Sequence, residues 1–272
     1  MKKIAFIGAG NMNAAIITGL IKKGHCANQI MVSNPSPEKR LALHEKLGIL
    51  HTESNIEAAN FADFIVLGVK PHFIAQVCAE IAGKVDLLTK CFLSVAAGCT
   101  LAKMQKALGK SCAIIRTMPN TPSQLGLGVT GMFSSKDASE AQQLTAQGLM
   151  SSVGITKWLA TEDEIDNIIA VSGSGPAYFF LFMEAMEKQA KVLGFSTEES
   201  RQLVQQTALG AVQMVIENNT TPISELRENV TSKGGPTHAA IESFMGDGLP
   251  PMVTKAMNSA WHRAKEMAQN ND

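Results

Sequence analysis

The chain has 272 residues, 45% of them hydrophobic and 18% charged, which allows one large domain or two smaller ones with a sizeable core. Lys and Arg total 24 and Asp and Glu total 24, so the charge balance gives no reason to expect nucleic acid or an anionic membrane as partner. Five scattered cysteines (Cys26, Cys78, Cys91, Cys99, Cys112) with no CxxC exclude a disulfide framework and read as buried thiols of a reducing compartment. Lys2 and Lys3 precede an apolar run that meets glycine too soon for a signal peptide. No run reaches the ~18 apolar residues of a membrane span; Tyr178–Met183 is the richest and is cut by Glu184. The expected location is cytoplasmic. No Cys, His and Asp cluster has ligand spacing, so no metal is expected.

Ile4 to Ile7 form a short apolar run, Gly8-Ala9-Gly10 break it, and from Met12 the pattern turns helical with Ala15, Ile16 and Leu20 on one face. That is strand, tight turn, helix. In a Rossmann unit such a turn brings backbone N–H groups to a pyrophosphate at the positive end of the helix. Asn13 stands where a third Gly or Ala is usual, a place that normally lets helix and strand pack closely. Its amide either loosens that packing or turns toward the ligand.

Gln29–Ser33 reads as a second strand ending in Asn34-Pro35-Ser36. An NAD site usually carries an acidic residue here for the ribose 2′-OH. This strand end has none, and Lys39 and Arg40 follow within a turn, which favours NADP over NAD. Ser36 and Pro37 also suit an ordinary helix start. Glu38–Leu47 is helical; Asp63–Val69 is an apolar strand before Lys70-Pro71; Phe73–Ile81 is a helix; Cys91–Ala96 is a strand ending at Ala97-Gly98. Ala113–Arg116 is a further strand, and Val129–Phe133 reads as one more. Alternating strands and helices predict a doubly wound, mostly parallel sheet, with ligands beyond the carboxyl ends of the strands. Five loops lie there: Gly8–Asn13, Asn34–Ser36, Lys70-Pro71, Ala96–Gly98 and Pro119–Thr121.

Near residue 160 the character changes. Glu162–Ala170, Ala177–Leu193, Thr197–Glu217, Pro222–Asn229, Thr237–Met245 and Pro251–Gln269 all read as helices. The expected organisation is an α/β nucleotide-binding domain over 1–160 and an all-α domain over 161–272, with a frayed tail after Met267. Two segments of the second domain stand out. Val171-Ser172-Gly173-Ser174-Gly175-Pro176-Ala177-Tyr178 lies between apolar helices and reads as a close backbone approach or a helix–helix turn. Val230-Thr231-Ser232-Lys233-Gly234-Gly235-Pro236-Thr237 precedes a helix, and its small residues make an anion site from backbone N–H groups or a structural cap.

These segments, with Gly8–Met12, Val69–Pro71, Ser94–Gly98 and Arg116–Pro122, make the chain resemble the pyrroline-5-carboxylate reductase family from end to end. The resemblance implies reduction of 1-pyrroline-5-carboxylate to L-proline by hydride transfer to the C=N carbon of the ring, with NADPH as cofactor and NADH weaker. It implies cofactor contacts at Gly8, Ala9, Gly10, Asn11, Met12, Asn13, Asn34, Ser36, Asn55, Val69, Lys70, Pro71, Ala96 and Ala97. It implies that Ser232, Lys233, Gly234, Gly235 and Pro236 hold the substrate carboxylate, that Thr237 contacts the ring nitrogen, and that Glu162 touches the ligand. It also implies a homodimer, or a ring of dimers, whose active cleft joins the nucleotide domain of one chain to the helices of its partner. The chain departs from the family pattern at Lys233, Pro236, Gln189 and Asn13.

The chemistry needs little side-chain help, because a protonated imine is already electrophilic and positioning can supply much of the barrier reduction. Thr237 is the expected catalytic residue; its structural alternative is a helix N-cap. His238 is a lone histidine on a helix, Tyr178 reads as core, and Lys70 meets the cofactor through backbone or through charge. A β-hydroxyacid dehydrogenase would need a catalytic lysine with Asn four residues on, and Gln189–Phe195 after Lys188 contains no Asn. A non-catalytic NADP sensor is the other rival.

Overall fold

The computed structural model describes residues 2–270. Residues up to Ser174, together with those from Ala260, pack as one compact unit, and Gly175–Ser259 as another. The first unit is built on β1 (Ile4–Ile7), β2 (Ile30–Ser33), β3 (Leu50–Thr52), β4 (Phe64–Leu67), β5 (Cys91–Ser94), β6 (Ala113–Met118), β7 (Gly128–Ser134) and β8 (Gly154–Trp158). Their order in the sheet is β3-β2-β1-β4-β5-β6-β7-β8. All neighbours run parallel except β6 and β7. A single 3-10 turn at Thr121–Leu125 joins that pair, and without a crossover helix the chain can only return antiparallel.

Strands β1, β2, β4 and β5 are buried at every position, as expected of a sheet covered on both faces. Alternation sorts their side chains into two cores. Ala5, Ile7, Ile65, Leu67 and Phe92 share one with Ile74, Val77 and Ile81 of α4 (Pro71–Ala82). Ile4, Phe6, Val32, Val66 and Leu93 share the other with Ile16, Ile17 and Leu20 of α1 (Asn11–Lys22).

Two strands escape a reading by pattern. β3 has three residues, starting just after the left-handed Gly48 that ends α2 (Pro37–Leu47). β8 is an edge strand with Ile155 and Lys157 exposed, so it carries no apolar run. The remaining helices of this unit are α3 (Asn55–Phe61), α5 (Leu101–Leu108), α6 (Glu140–Met150) and α7 (Glu164–Ile168).

The Ser172–Tyr178 segment is not a turn between helices. A π turn over Ile169–Gly173 follows α7 and leads into α8 (Gly175–Val192), and the N–H of Ser174 reaches back five residues to the Ile169 carbonyl at 2.8 Å. Pro176 has no N–H to give the carbonyl of Ser172. The side chain of Asn120 takes that place, donating to it at 2.9 Å. The helix Glu164–Val192 is long and apolar enough to cross a membrane by length and composition alone, a test that the core helix of a soluble protein also passes; it holds no uninterrupted apolar run of that length.

The second unit is helical: α8, α9 (Thr197–Glu217), α10 (Ile223–Asn229), α11 (Pro236–Gly246) and the first part of α12 (Leu249–Asn270). The α9 cap is Ser196, in a capping box with Glu199. Phe179, Phe180, Leu181 and Phe182 of α8, and Leu209, Val212 and Ile216 of α9, are exposed. The tail expected to fray after Met267 stays helical to Asn270; Asn271 and Asp272 lie outside the described residues.

Candidate active site

The strand order reverses at β1, which lies between β2 and β4, and a crevice at such a switch point is where open α/β sheets bind ligands. The turn after β1 and the loop after β4 meet there. Gly68 N–H donates to the Ile7 carbonyl at 3.0 Å, and Gly8 N–H donates to the Ser33 carbonyl at 2.8 Å. Gly10 is the N-cap of α1 and offers no side chain to its first turn. The amides of Asn11 and Met12 belong to the orphan set that a helix leaves at its start. That donor set suits a pyrophosphate.

Asn13 is fully buried. Its Nδ2 donates to the Gly8 carbonyl at 2.7 Å and the Ile7 carbonyl at 3.2 Å, so the amide braces the turn from beneath. Its Oδ1 is buried with no protein partner. Packing stays close because Gly68 lies opposite: a Cβ on Gly68 would fall 2.3 Å from the Asn13 amide. The missing third glycine is thus compensated from the neighbouring strand.

The corner beyond β2 is neutral and hydrogen-bonded. Ala9 N–H donates to Asn34 Oδ1 at 3.1 Å, and Asn34 Nδ2 donates to the Ser36 carbonyl at 3.0 Å. Ser33 Oγ donates to Asn55 Oδ1 at 2.8 Å, and Asn55 Nδ2 donates to Glu80 Oε2 at 2.9 Å. Ser36 is exposed. Arg40 lies alongside, its Nη2 3.6 Å from the exposed Glu53 and its Nε and Nη1 buried without protein partners. No acidic side chain ends β2, and a cation stands near, so the corner fits NADP. Val69 and Pro71 are half-buried, and Lys70 is exposed as the N-cap of α4. On the adjoining strand end Ala96 is buried and Ala97 half-buried; Val95 N–H donates to the Leu67 carbonyl at 3.1 Å.

A charged cluster built on β6 was not visible in the sequence. Arg116 is 3% exposed, and its Nη1 donates to Glu162 Oε1 at 2.9 Å. The same oxygen accepts the Leu101 N–H, at the start of α5, at 2.8 Å. Asp166 is buried beside them. Burial pushes its carboxyl above the usual carboxylate range, and the attraction of Arg116 offsets this only in part. Glu162, expected to touch a ligand, precedes α7 and has its Oε1 committed to two donors of its own chain. The sole hint was an arginine closing an otherwise apolar strand.

The second unit holds the other expected site. Gly235 N–H donates to the Ser232 carbonyl at 2.9 Å, closing a four-residue turn with Gly234 at φ +76. Any other residue at Gly234 would be strained there. Gly235 is the N-cap of α11 and Pro236 its first residue, so the proline removes an N–H that had no helical partner anyway. Thr237 is therefore inside the helix, not its cap. It is exposed, as are Ser232, Lys233 and Gly234. Lys188 and Lys191 form ion pairs one turn back, with Glu184 and Glu187, at 2.7 Å each. Cys78, Cys91, Cys99 and Cys112 are buried; burial raises Cys78 and Cys91 to about 12 and Cys112 to about 11, so these three thiols stay protonated and unreactive.

The pyrroline-5-carboxylate reductase dimerisation family model matches residues 162–267. The model for NADP oxidoreductase, coenzyme F420-dependent, matches residues 3–98. The chain is 48% identical over 266 residues to a pyrroline-5-carboxylate reductase of Vibrio alginolyticus, covering 98% of this chain and 97% of the relative. It is 44% identical over 267 residues to one from Pseudomonas aeruginosa, again covering 98% and 97%. Among solved structures, a pyrroline-5-carboxylate reductase from Coxiella burnetii matches with a TM-score of 0.93 at 41% identity, covering 98% of both chains. Pyrroline carboxylate reductase of Plasmodium falciparum, solved with NADP bound, matches with a TM-score of 0.87 at 29% identity, also over 98% of both.

Proposed function

This chain belongs to the pyrroline-5-carboxylate reductase family, and on that premise we propose how its own residues divide the work of the family's reaction. The protein is an NADP-dependent oxidoreductase that reduces 1-pyrroline-5-carboxylate to L-proline, the last step of proline synthesis. When bound, NADPH supplies the hydride that reaches the C=N carbon of the ring.

The turn Gly8–Asn13 and the uncapped start of α1 hold the pyrophosphate, with Asn13 as brace. Asn34, Ser36 and Asn55 form the ribose corner, and Val69, Lys70, Pro71, Ala96 and Ala97 line the approach to the nicotinamide. The neutral β2 end supports preference for NADPH over NADH. In the helical region the turn Ser232–Gly235 presents amides to the substrate carboxylate, and the exposed Lys233 adds a charge-assisted contact. Pro236 fixes the entry to α11, and the Thr237 hydroxyl orients the ring nitrogen. Since a protonated imine needs no further activation, holding ring and donor in register is the main task of the site.

The nucleotide-binding region is 1–160 and the substrate-binding and dimerisation region 161–272, a division supported by the spans of the two family models. Self-association follows from the dimerisation match; a ring of dimers is the further arrangement we expect. Free cysteines throughout the chain support a reducing, cytoplasmic setting. The observation that carries the reading is the presence in one chain of an uncapped phosphate turn at the switch point and an exposed Ser232–Thr237 turn. The decisive assay is loss of NADPH absorbance with 1-pyrroline-5-carboxylate, beside NADH and beside the six-membered homologue. Turnover with the five-membered ring is expected. Tight NADPH binding without turnover on either ring would overturn the assignment in favour of a sensor.

A further inference from the structure

The loop Val95–Thr100 joins β5 to α5 and carries Ala96 and Ala97. Its first end is held by the sheet, through Val95 N–H to Leu67 and through Ala96 N–H to Ser94 Oγ at 3.3 Å. Its second end is held by Glu162, whose Oε1 accepts the Leu101 N–H at 2.8 Å. The carboxylate in turn is fixed by Arg116 at 2.9 Å. Arg116 follows from β6, which pairs with β5 so that Arg116 lies opposite Ser94, the residue that ends β5. A negative oxygen on the first amide of a helix is favoured by the helix dipole. The arginine is buried while the carboxylate is partly exposed, and a buried guanidinium that loses its partner is left as an uncompensated charge.

We propose that Arg116 and Glu162 are positioning residues: they clamp the Val95–Leu101 loop and so set where the nicotinamide ring rests for hydride transfer. The clamp rests on the proposed cofactor role of Ala96 and Ala97. It gives Glu162 a function other than contact with substrate. Glu162 spans from the first residues of the helical region to the cofactor loop of the same chain. A shift of the loop by a fraction of an ångström is felt in the rate, because reacting atoms must be aligned.

The test uses the full-length protein and three variants: Glu162→Gln, Glu162→Ala and Arg116→Lys. Glu162→Gln keeps an acceptor oxygen and is the fallback should Glu162→Ala fold poorly by circular dichroism. Hydrogen exchange of the peptide covering 95–104 should speed up about tenfold in Glu162→Ala, since its tether to Leu101 is gone. kcat should fall about tenfold or more while KM for 1-pyrroline-5-carboxylate changes little. With NADPH deuterated at the transferred position, the isotope effect on kcat should rise as hydride transfer becomes slower. Arg116→Lys should show the same pattern, and Glu162→Gln a milder one. Unchanged exchange and isotope effect, with only the substrate KM raised, would make Glu162 a substrate ligand and end the proposal. A separate control is Ala97→Val, read by calorimetry with NADP+. If it leaves NADP+ affinity unchanged, the cofactor role of the loop fails, while the exchange result still reports on the clamp itself.

Discussion

Asn13→Asp replaces an amide by a carboxyl of nearly equal shape at a site with no exposed surface. The amide's two donations, to Gly8 and Ile7 carbonyls at 2.7 and 3.2 Å, have no counterpart in a carboxylate, which would face two oxygens with its charge. The carboxyl is therefore driven to keep its proton in the folded state. Holding an aspartic acid neutral costs about 1.4 kcal/mol for each pH unit above its free pKa of about 3.9, hence about 4 kcal/mol at pH 7 and about 1.5 at pH 5. The protonated acid can make one of the two bonds, and losing the other costs about 1 kcal/mol more. The sign follows from a folded pKa raised above the unfolded one: the penalty is small in acid and grows as pH rises. Urea unfolding of the variant and the parent at pH 5, 6 and 7 measures it. Asn13→Ala, which removes the donors without adding a titrating group, should lose a pH-independent amount. An Asn13→Asp loss that is flat with pH, or equal to that of Asn13→Ala, would refute the placement of this side chain beneath the turn.

Thr237→Ala should lower kcat about tenfold with NADP+ affinity, read by calorimetry, nearly unchanged; unaltered turnover removes the hydroxyl from the mechanism. Thr237→Ala, impaired in turnover, and a variant blocked in the cofactor turn such as Gly10→Val should together reach about a quarter of parental activity when unfolded and refolded as a mixture, more than either gives alone, because a shared cleft in a mixed dimer leaves one site intact. No recovery would mean that each chain completes its own site. Asp166→Asn should raise the melting temperature at pH 7 to 8. A carboxyl raised by burial opposes folding only when ionised, so the gain should shrink as pH falls toward about 4 and be gone below it; a gain that is constant with pH would sink this account.

The nucleotide-binding half could be read from local chemistry because its signals are short and strong. Ile4–Ile7, Asp63–Val69 and Cys91–Ala96 are apolar runs ended by glycine or by Lys-Pro, and each became a strand pointing at one edge. What could not be read depends on partners far along the chain. The brace role of Asn13 needs Gly68, and the commitment of Glu162 needs Arg116, which no spacing rule links. β8 is half-exposed, so its composition does not separate it from a loop. The Ser172–Tyr178 segment misled because two glycines and a proline signal a turn, whereas a π turn absorbs them and Asn120 answers the carbonyl that Pro176 leaves open. Thr237 was placed by resemblance; the structure moves it off the cap and leaves its hydroxyl outside.

The aromatic side chains of Phe179, Phe180 and Phe182 on α8, left in water by a single copy, tie the protein's endurance to its abundance. Burying such a surface against a second copy links unfolding to dissociation, and mass action then raises the stability with concentration. Dilution would act as a denaturant, and the melting temperature would climb with each tenfold increase in protein. A cell holding few copies would carry a larger share of chains with these rings uncovered, open to chaperones and proteases, so the amount of enzyme would itself govern how long each molecule lasts.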